Sequence, residues 1–254
     1  MLERRKAFLR PDGRRSDEMR RVEMQRGFLP QAEGSCLISV GQTRVVCTVT
    51  VEDKVPAWRR GMGGWLTAEY AMLPRATAQR TAREVTRGHP SGRSHEIQRL
   101  IGRSLRQAVD LKAIGDRTLW VDCDVLQADG GTRTASITGA MVALVDALAW
   151  LQDLDRSVGR PLLRQIAAIS AGIVAGESVL DLCYQEDAQA EVDGNFVLTS
   201  EGSFVELQTT AEAEPLRREQ FENLLRLAQT GTQELLALQA EALGERLPRV
   251  LRRA

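Results

Sequence analysis

Two arginines and two aspartates in this chain have types and spacing suited to phosphate chemistry. Arg133 lies in Ala128-Asp129-Gly130-Gly131-Thr132-Arg133-Thr134, a Gly-Gly turn between a strand-like run and a helix-like run. Free backbone N–H groups at a helix start bind anions, and the helix dipole adds to the attraction. Paired glycines let the backbone approach a ligand closely. The planar guanidinium of Arg133 adds a two-pronged donor for phosphate. Arg93 stands just before a second predicted helix start, where anions are also favoured. Asp187 and Asp193 bracket the start of another predicted strand, with Asp181, Glu186 and Glu191 nearby. Two carboxylates at this spacing can share a magnesium ion through oxygen ligands, or one can serve as a general acid at a leaving oxygen. Each feature alone also has a plain reading. The first is an ordinary strand-to-helix turn with a surface arginine, and the second is a solvated acidic turn.

Composition narrows the choice. The 254 residues suffice for one large domain or two small ones. Formal net charge is zero, which argues against an overall basic nucleic-acid coat. The sum hides a basic segment. From Arg75 to Arg106 there are eight arginines (Arg75, Arg80, Arg83, Arg87, Arg93, Arg99, Arg103, Arg106) against Glu84 and Glu96. Such a segment can track a polynucleotide backbone. Aromatic residues make up only 4%, too few for a passive single-strand binder built on stacking. The absence of G-x-x-x-x-G-K-[ST] excludes a P-loop enzyme. Two histidines and four widely spaced cysteines argue against zinc, and the cysteines read as small core residues. There is no run of eighteen apolar residues, and Met1–Arg10 lacks the apolar segment of a signal peptide. The expectation is a cytoplasmic chain with no membrane contact.

The elements that must position these residues follow from periodicity. Ser35–Val40 and Thr43–Val51 predict a hairpin about Gly41-Gln42, Trp65–Pro74 a strand, and Leu119–Leu126 another. Val55–Gly64 reads as a loop, and Arg75–Ser91 as a long basic loop. His95–Leu111 is amphipathic with Ser94 as its N-cap, and Ala135–Leu151 is a buried helix. Gln152–Pro161 is a plausible boundary, dividing the chain into halves at 1–157 and 158–254. Gln165–Val174 predicts a strand, Glu177–Tyr184 is ambiguous, and Val192–Ser200 with Ser203–Thr209 predicts a second hairpin. Pro215–Leu243 is a long helix followed by a basic, frayed tail. Ser16–Gln25 is charged and fits no pattern. Hairpins followed by helices in both halves predict the α+β class, with mixed sheets packed against helices.

Taken together, a basic loop, two anion-holding arginines and an acidic pair suit phosphoryl transfer to or from an RNA or nucleotide chain. Four longer segments carry a resemblance. They are Arg10-Pro11-Asp12-Gly13-Arg14, Gly64–Thr77, Gly92–Arg103 and Asp122–Ala140. They resemble the bacterial ribonuclease PH family, and the likeness runs from about Arg10 to the C-terminal helix. The resemblance implies the ribonuclease PH fold and a phosphorolytic 3′→5′ exoribonuclease that trims the 3′ ends of tRNA precursors. In it, inorganic phosphate is the co-substrate and a nucleoside diphosphate leaves. It implies phosphate binding by Arg93, Gly131, Thr132 and Arg133, and RNA contacts by Arg75, Arg80 and Arg83. It also implies a catalytic set of Asp187, Asp193 and Arg133, with magnesium at Asp187 and Asp193. The implied assembly is a homo-oligomeric ring, a hexamer built from dimers. The alternative is a ring subunit of an exosome-like assembly that binds RNA but has lost the chemistry. Two positions depart from the family pattern. Thr209 stands where glycine is usual, and Gly61-Met62-Gly63-Gly64 is less basic than usual.

Overall fold

The computed structural model describes residues 9–212 and 214–252. Two sheets enclose a buried helix. The first sheet has the strand order β1-β2-β3-β5-β4, with β1 (Val22–Arg26), β2 (Gly34–Val40), β3 (Thr43–Glu52), β4 (Trp65–Met72) and β5 (Thr118–Gln127). Its hairpin pairs Val40 with Thr43 across Gly41-Gln42. β4 runs parallel to β5 and reaches it through α1 (Gly92–Arg106). The second sheet is antiparallel in the order β7-β6-β8-β9, with β6 (Ile166–Val174), β7 (Glu177–Leu180), β8 (Val192–Thr199) and β9 (Phe204–Ala211).

Between the sheets lies α2 (Thr132–Leu154). Its sequence is apolar on every side, so only a site covered all round can hold it. Ile137, Met141 and Leu144 are fully buried against β2, β3 and β6. Each such side chain contributes about 1.5–3 kcal/mol by leaving water. By length and composition α2 is apolar enough to cross a membrane, but 94% of its most apolar window is buried inside the protein. Its contact with β2 is close. A Cβ on Gly34 would lie 1.9 Å from the Ala143 carbonyl oxygen. α4 (Arg218–Leu243) covers the second sheet with Leu224, Ala228 and Leu235.

Several boundaries differ from the sequence expectation. Val22–Arg26, which begins inside the charged stretch Ser16–Gln25 that fits no pattern, is the edge strand β1 paired with β2. Glu177–Tyr184 resolves into β7 followed by α3 (Tyr184–Asp187). The first amphipathic helix ends at Arg106 rather than Leu111, although Ala108 and Val109 are still buried. The tail is not frayed over the described residues. Arg246–Val250 forms α5, with Leu247 and Val250 buried in the main core. Cys36, Cys47 and Cys123 align across β2, β3 and β5 as free, buried thiols. Burial pushes the Cys36 thiol up to about 12, so it stays protonated.

Candidate active site

β5 passes into α2 through Ala128-Asp129-Gly130-Gly131. Gly130 has φ +77° and Gly131 φ +66°, left-handed conformations that glycine adopts without steric penalty. A Cβ on Gly130 would lie 2.6 Å from the Leu182 carbonyl oxygen and 2.8 Å from the Tyr184 nitrogen. Glycine thus lets the first half touch the backbone of the second. Thr43 braces the turn. Its Oγ1 accepts from the Asp129 N–H at 2.9 Å and donates to the Gly130 carbonyl at 2.7 Å. Gly131 is the N-cap of α2, so Thr132 and Arg133 are its first two residues. The Thr132 and Tyr70 hydroxyls are 2.9 Å apart. Burial pushes the Tyr70 hydroxyl up, against the opposing pull of Thr132, Arg93 and Arg133.

Arg93 is placed differently from the sequence expectation. Ser94 is not the N-cap of α1. Ser91 is, with extended backbone, and its Oγ accepts from the Ser94 N–H at 3.1 Å. Ser94 instead donates to Glu84 at 2.6 Å. The first hydroxyl after Pro90 takes the cap, and Arg93 therefore lies inside the first helical turn.

A cavity of about 370 Å³ joins the pieces. Arg93, Gly130, Gly131, Thr132 and Arg133 line it from the first half. Ser170, Leu182, Tyr184, Asp187, Asp193 and Asn195 line it from the second. Met72 and Thr77 stand at the start of the basic loop on the same wall. A larger concavity of about 820 Å³ lies along α4 near Glu177, Arg217 and Arg226. It also gathers arginines (Arg217, Arg226), carboxylates (Glu177, Glu219) and hydroxyls (Ser178, Thr230), but no Gly-Gly turn opening a helix, so neither size nor side-chain type alone marks the site.

Charge within the cavity is balanced across it. Burial, then the neighbouring charge of Asp193, pushes the Asp187 carboxyl up, while Arg93 and Arg133 pull it down. Like charges held together beside cations are the setting in which a divalent cation relieves repulsion. Two carboxylates fit magnesium, which keeps water and substrate phosphates as its other ligands. Among the described residues no group of three or more His, Cys, Asp or Glu side chains forms a fuller metal site. The other acids of the cluster have different work. Asp181 and Glu186 are buried and ion-paired to Arg20 and Arg10, and Glu191 accepts from the Gly176 N–H at 2.8 Å.

Two residues without a sequence signal hold Arg133. Its Nη1 donates to Gln208 Oε1 at 2.9 Å and lies 3.4 Å from Glu96 Oε1. Gln208 Nε2 donates to the same Glu96 oxygen at 2.9 Å, closing a three-member network. Asn195 pairs with Gln208 across β8 and β9. Arg75, Arg80 and Arg83 lie outside the cavity. All three are exposed and make no ion pair among the described residues. Arg103 and Arg106 have structural partners instead. Arg103 pairs with Glu206 at 2.6 Å, and Arg106 stacks 4.7 Å from the Trp65 ring centre. Thr209 faces Gly194 in register, and its hydroxyl is buried with no hydrogen-bond partner among the described residues.

Residues 18–149 match the family model for domain 1 of the 3′ exoribonuclease family, and residues 164–231 match that for domain 2. The chain belongs to the 3′ exoribonuclease family. It is similar to ribonuclease PH of Methylobacterium radiotolerans, with 56% identity over 92% of this chain and 100% of the relative. Ribonuclease PH of Methylobacterium nodulans is 55% identical over 93% of this chain and 100% of its own length. Among solved structures, the fold is shared with rice (Oryza sativa) Rrp46, at a TM-score of 0.75 and 19% identity over 92% of this chain and 100% of that one. It is shared equally with the Archaeoglobus fulgidus exosome with RNA bound to the active site, at 0.76 and 24% over 90% and 92%.

Proposed function

We propose that this protein is a phosphorolytic 3′→5′ exoribonuclease that trims the 3′ ends of tRNA precursors and other RNAs with a single-stranded 3′ end. The observation that carries this reading is the single cavity in which Arg93, Arg133 and the Gly130-Gly131-Thr132 turn face Asp187 and Asp193. Similarity to ribonuclease PH over nearly the whole chain supports it.

The chemistry needs two anions brought together. Arg93, Arg133 and the start of α2 supply fixed positive charge for inorganic phosphate, the nucleophile. A phosphate oxygen attacks the phosphorus of the last phosphodiester. The bond from phosphorus to the 3′ oxygen of the preceding nucleotide breaks. The terminal nucleotide leaves as a 5′-diphosphate, and the departing 3′ oxygen of the shortened chain takes up a proton to become its new 3′ hydroxyl. Positioning does most of this work. Asp187 and Asp193 would hold magnesium, which when bound supplies positive charge beside the scissile phosphate. The first half, residues 1–157, then provides the phosphate site and the RNA loop with Arg75, Arg80 and Arg83. The second, residues 158–254, provides the acids.

The assembly we propose is a hexameric ring of dimers acting in the cytoplasm. Light scattering reporting a monomer would remove the ring. A non-catalytic ring subunit is the weaker reading, because Arg93, Arg133, Asp187 and Asp193 all reach one cavity. The reverse reaction separates the two. Nucleoside diphosphates and magnesium should extend an RNA 3′ end and release phosphate. A chain that binds the RNA yet neither shortens nor extends it is the non-catalytic subunit.

A further inference from the structure

The two parts of the cavity come from different sheets. The glycine turn follows β5, and the aspartates sit on α3 and β8. Neither element by itself sets the spacing between them. Arg20 joins both. Its Nε donates to Asp181 Oδ2 at 2.9 Å and its Nη2 to Asp181 Oδ1 at 2.7 Å, while its backbone N–H donates to Oδ2 at 2.8 Å. On its other side, Nη1 donates to the Asp129 carbonyl and Nη2 reaches the Gly130 carbonyl at 3.4 Å. One planar group, 5% exposed, thus holds the phosphate turn and the chain segment leading to Asp187. Lysine lacks the forked, planar donors for this set.

Three observations support the same seam. Asp181 holds φ +52°, a left-handed backbone that a non-glycine residue keeps only where its surroundings fix it. The Asp129 side chain crosses to the second half, accepting from the Tyr184 N–H at 3.3 Å, at the first residue of α3. Arg10 repeats the device one step nearer the acids. Its Nε and Nη2 donate to both carboxylate oxygens of Glu186 at 2.6 and 2.8 Å, and Glu186 precedes Asp187.

We infer that, on the phosphorolytic reading above, Arg20 is a positioning residue that, together with Asp129, sets the distance between the phosphate turn and the acidic pair. It touches neither reactant. Its effect passes through the carbonyls of Asp129 and Gly130 to the turn, and through Asp181 to the segment that carries Asp187.

The test is Arg20→Lys in the full chain, with phosphate and a tailed RNA varied separately. The expected result is an about 10- to 100-fold fall in kcat/KM for phosphate. KM for RNA should stay within about twofold, since Arg75, Arg80 and Arg83 lie outside the cavity and make no hydrogen bond with Arg20 among the described residues. A residue that only supports the fold lowers the amount of active enzyme and moves both substrates' kinetics together. Asp129→Ala, at a partly exposed position, should give a smaller loss of the same phosphate-selective kind, and it serves alone if Arg20→Lys does not fold. Unchanged phosphate kinetics, or equal losses toward both substrates, overturn the positioning role. The unsubstituted chain is measured alongside. Absence of phosphate-dependent shortening there overturns the phosphorolytic reading itself, and the inference with it.

Discussion

Arg133 is held from two directions before any anion reaches it. Gln208 and Glu96 fix its guanidinium, so little side-chain freedom is lost on binding phosphate. Arg133→Ala should lower the phosphorolysis rate by about 10²-fold or more, the scale for losing one preorganised charge-stabilising donor. Circular dichroism should be unchanged, because the side chain lines a cavity rather than the core. A wild-type rate in this variant removes Arg133 from the site. Asp187 offers a second measurement. Its carboxyl is raised, so it takes up a proton at higher pH than an ordinary aspartate. Asp187 is therefore charged only above that raised value, and any magnesium it helps to hold should be lost as pH falls through it. Asp193→Asn removes the repelling charge, and the Asp187 titration followed by carboxyl ¹³C NMR should move down. An unmoved titration means the two do not interact. That Arg93, Gly131, Thr132 and Arg133 stand at helix starts is legible in the sequence, because helix-start chemistry is local, and all four line the cavity. Gln208 and Glu96 were not, because their mutual bond spans 112 residues.

At the level of elements, α2 decides the geometry, since its first turn lines the cavity proposed to hold phosphate and its remainder is the core. Its seat on β2 depends on Gly34. A Cβ there would lie far inside van der Waals contact with the Ala143 carbonyl oxygen, and the nearest atoms it meets are all backbone, so no flexible side chain can give way. Gly34→Ala should cost about 3 kcal/mol, the upper end of overpacking penalties, seen as a lower urea midpoint with an unchanged slope. Near-wild-type stability means that α2 can shift without harm. The strands of the first hairpin and β5 are legible because their apolar residues recur regularly, and α2 because it is a long Ala-, Leu- and Val-rich run without proline. The stretch Ser16–Gln25 is not. Its character is set by a buried guanidinium whose partner carboxylate lies 161 residues away. Burial pushes the Asp181 carboxyl up, yet the bonds from Arg20 outweigh it and hold the group below its ordinary value. The α1 cap at Ser91 rather than Ser94 reflects a choice between two nearby hydroxyls that spacing alone does not decide.

At the scale of the whole molecule, two sheets meet over one cavity, and a basic loop leads from its rim. Arg75, Arg80 and Arg83 in this loop are exposed and make no ion pair among the described residues, which suits contact with a phosphate backbone rather than with a single anion. Replacing Arg80 and Arg83 together with alanine should weaken RNA binding and flatten its dependence on salt. The log–log slope should fall by roughly 0.7 for each single-strand phosphate that the protein no longer neutralises. Equal slopes before and after assign RNA binding to another surface. The cavity itself is tested most directly by its products. A short RNA with a single-stranded 3′ tail, incubated with magnesium and inorganic phosphate and resolved by chromatography, should yield nucleoside 5′-diphosphates only while phosphate is present. Nucleoside monophosphates released without added phosphate would mean that water, not a phosphate held by Arg93 and Arg133, is the nucleophile.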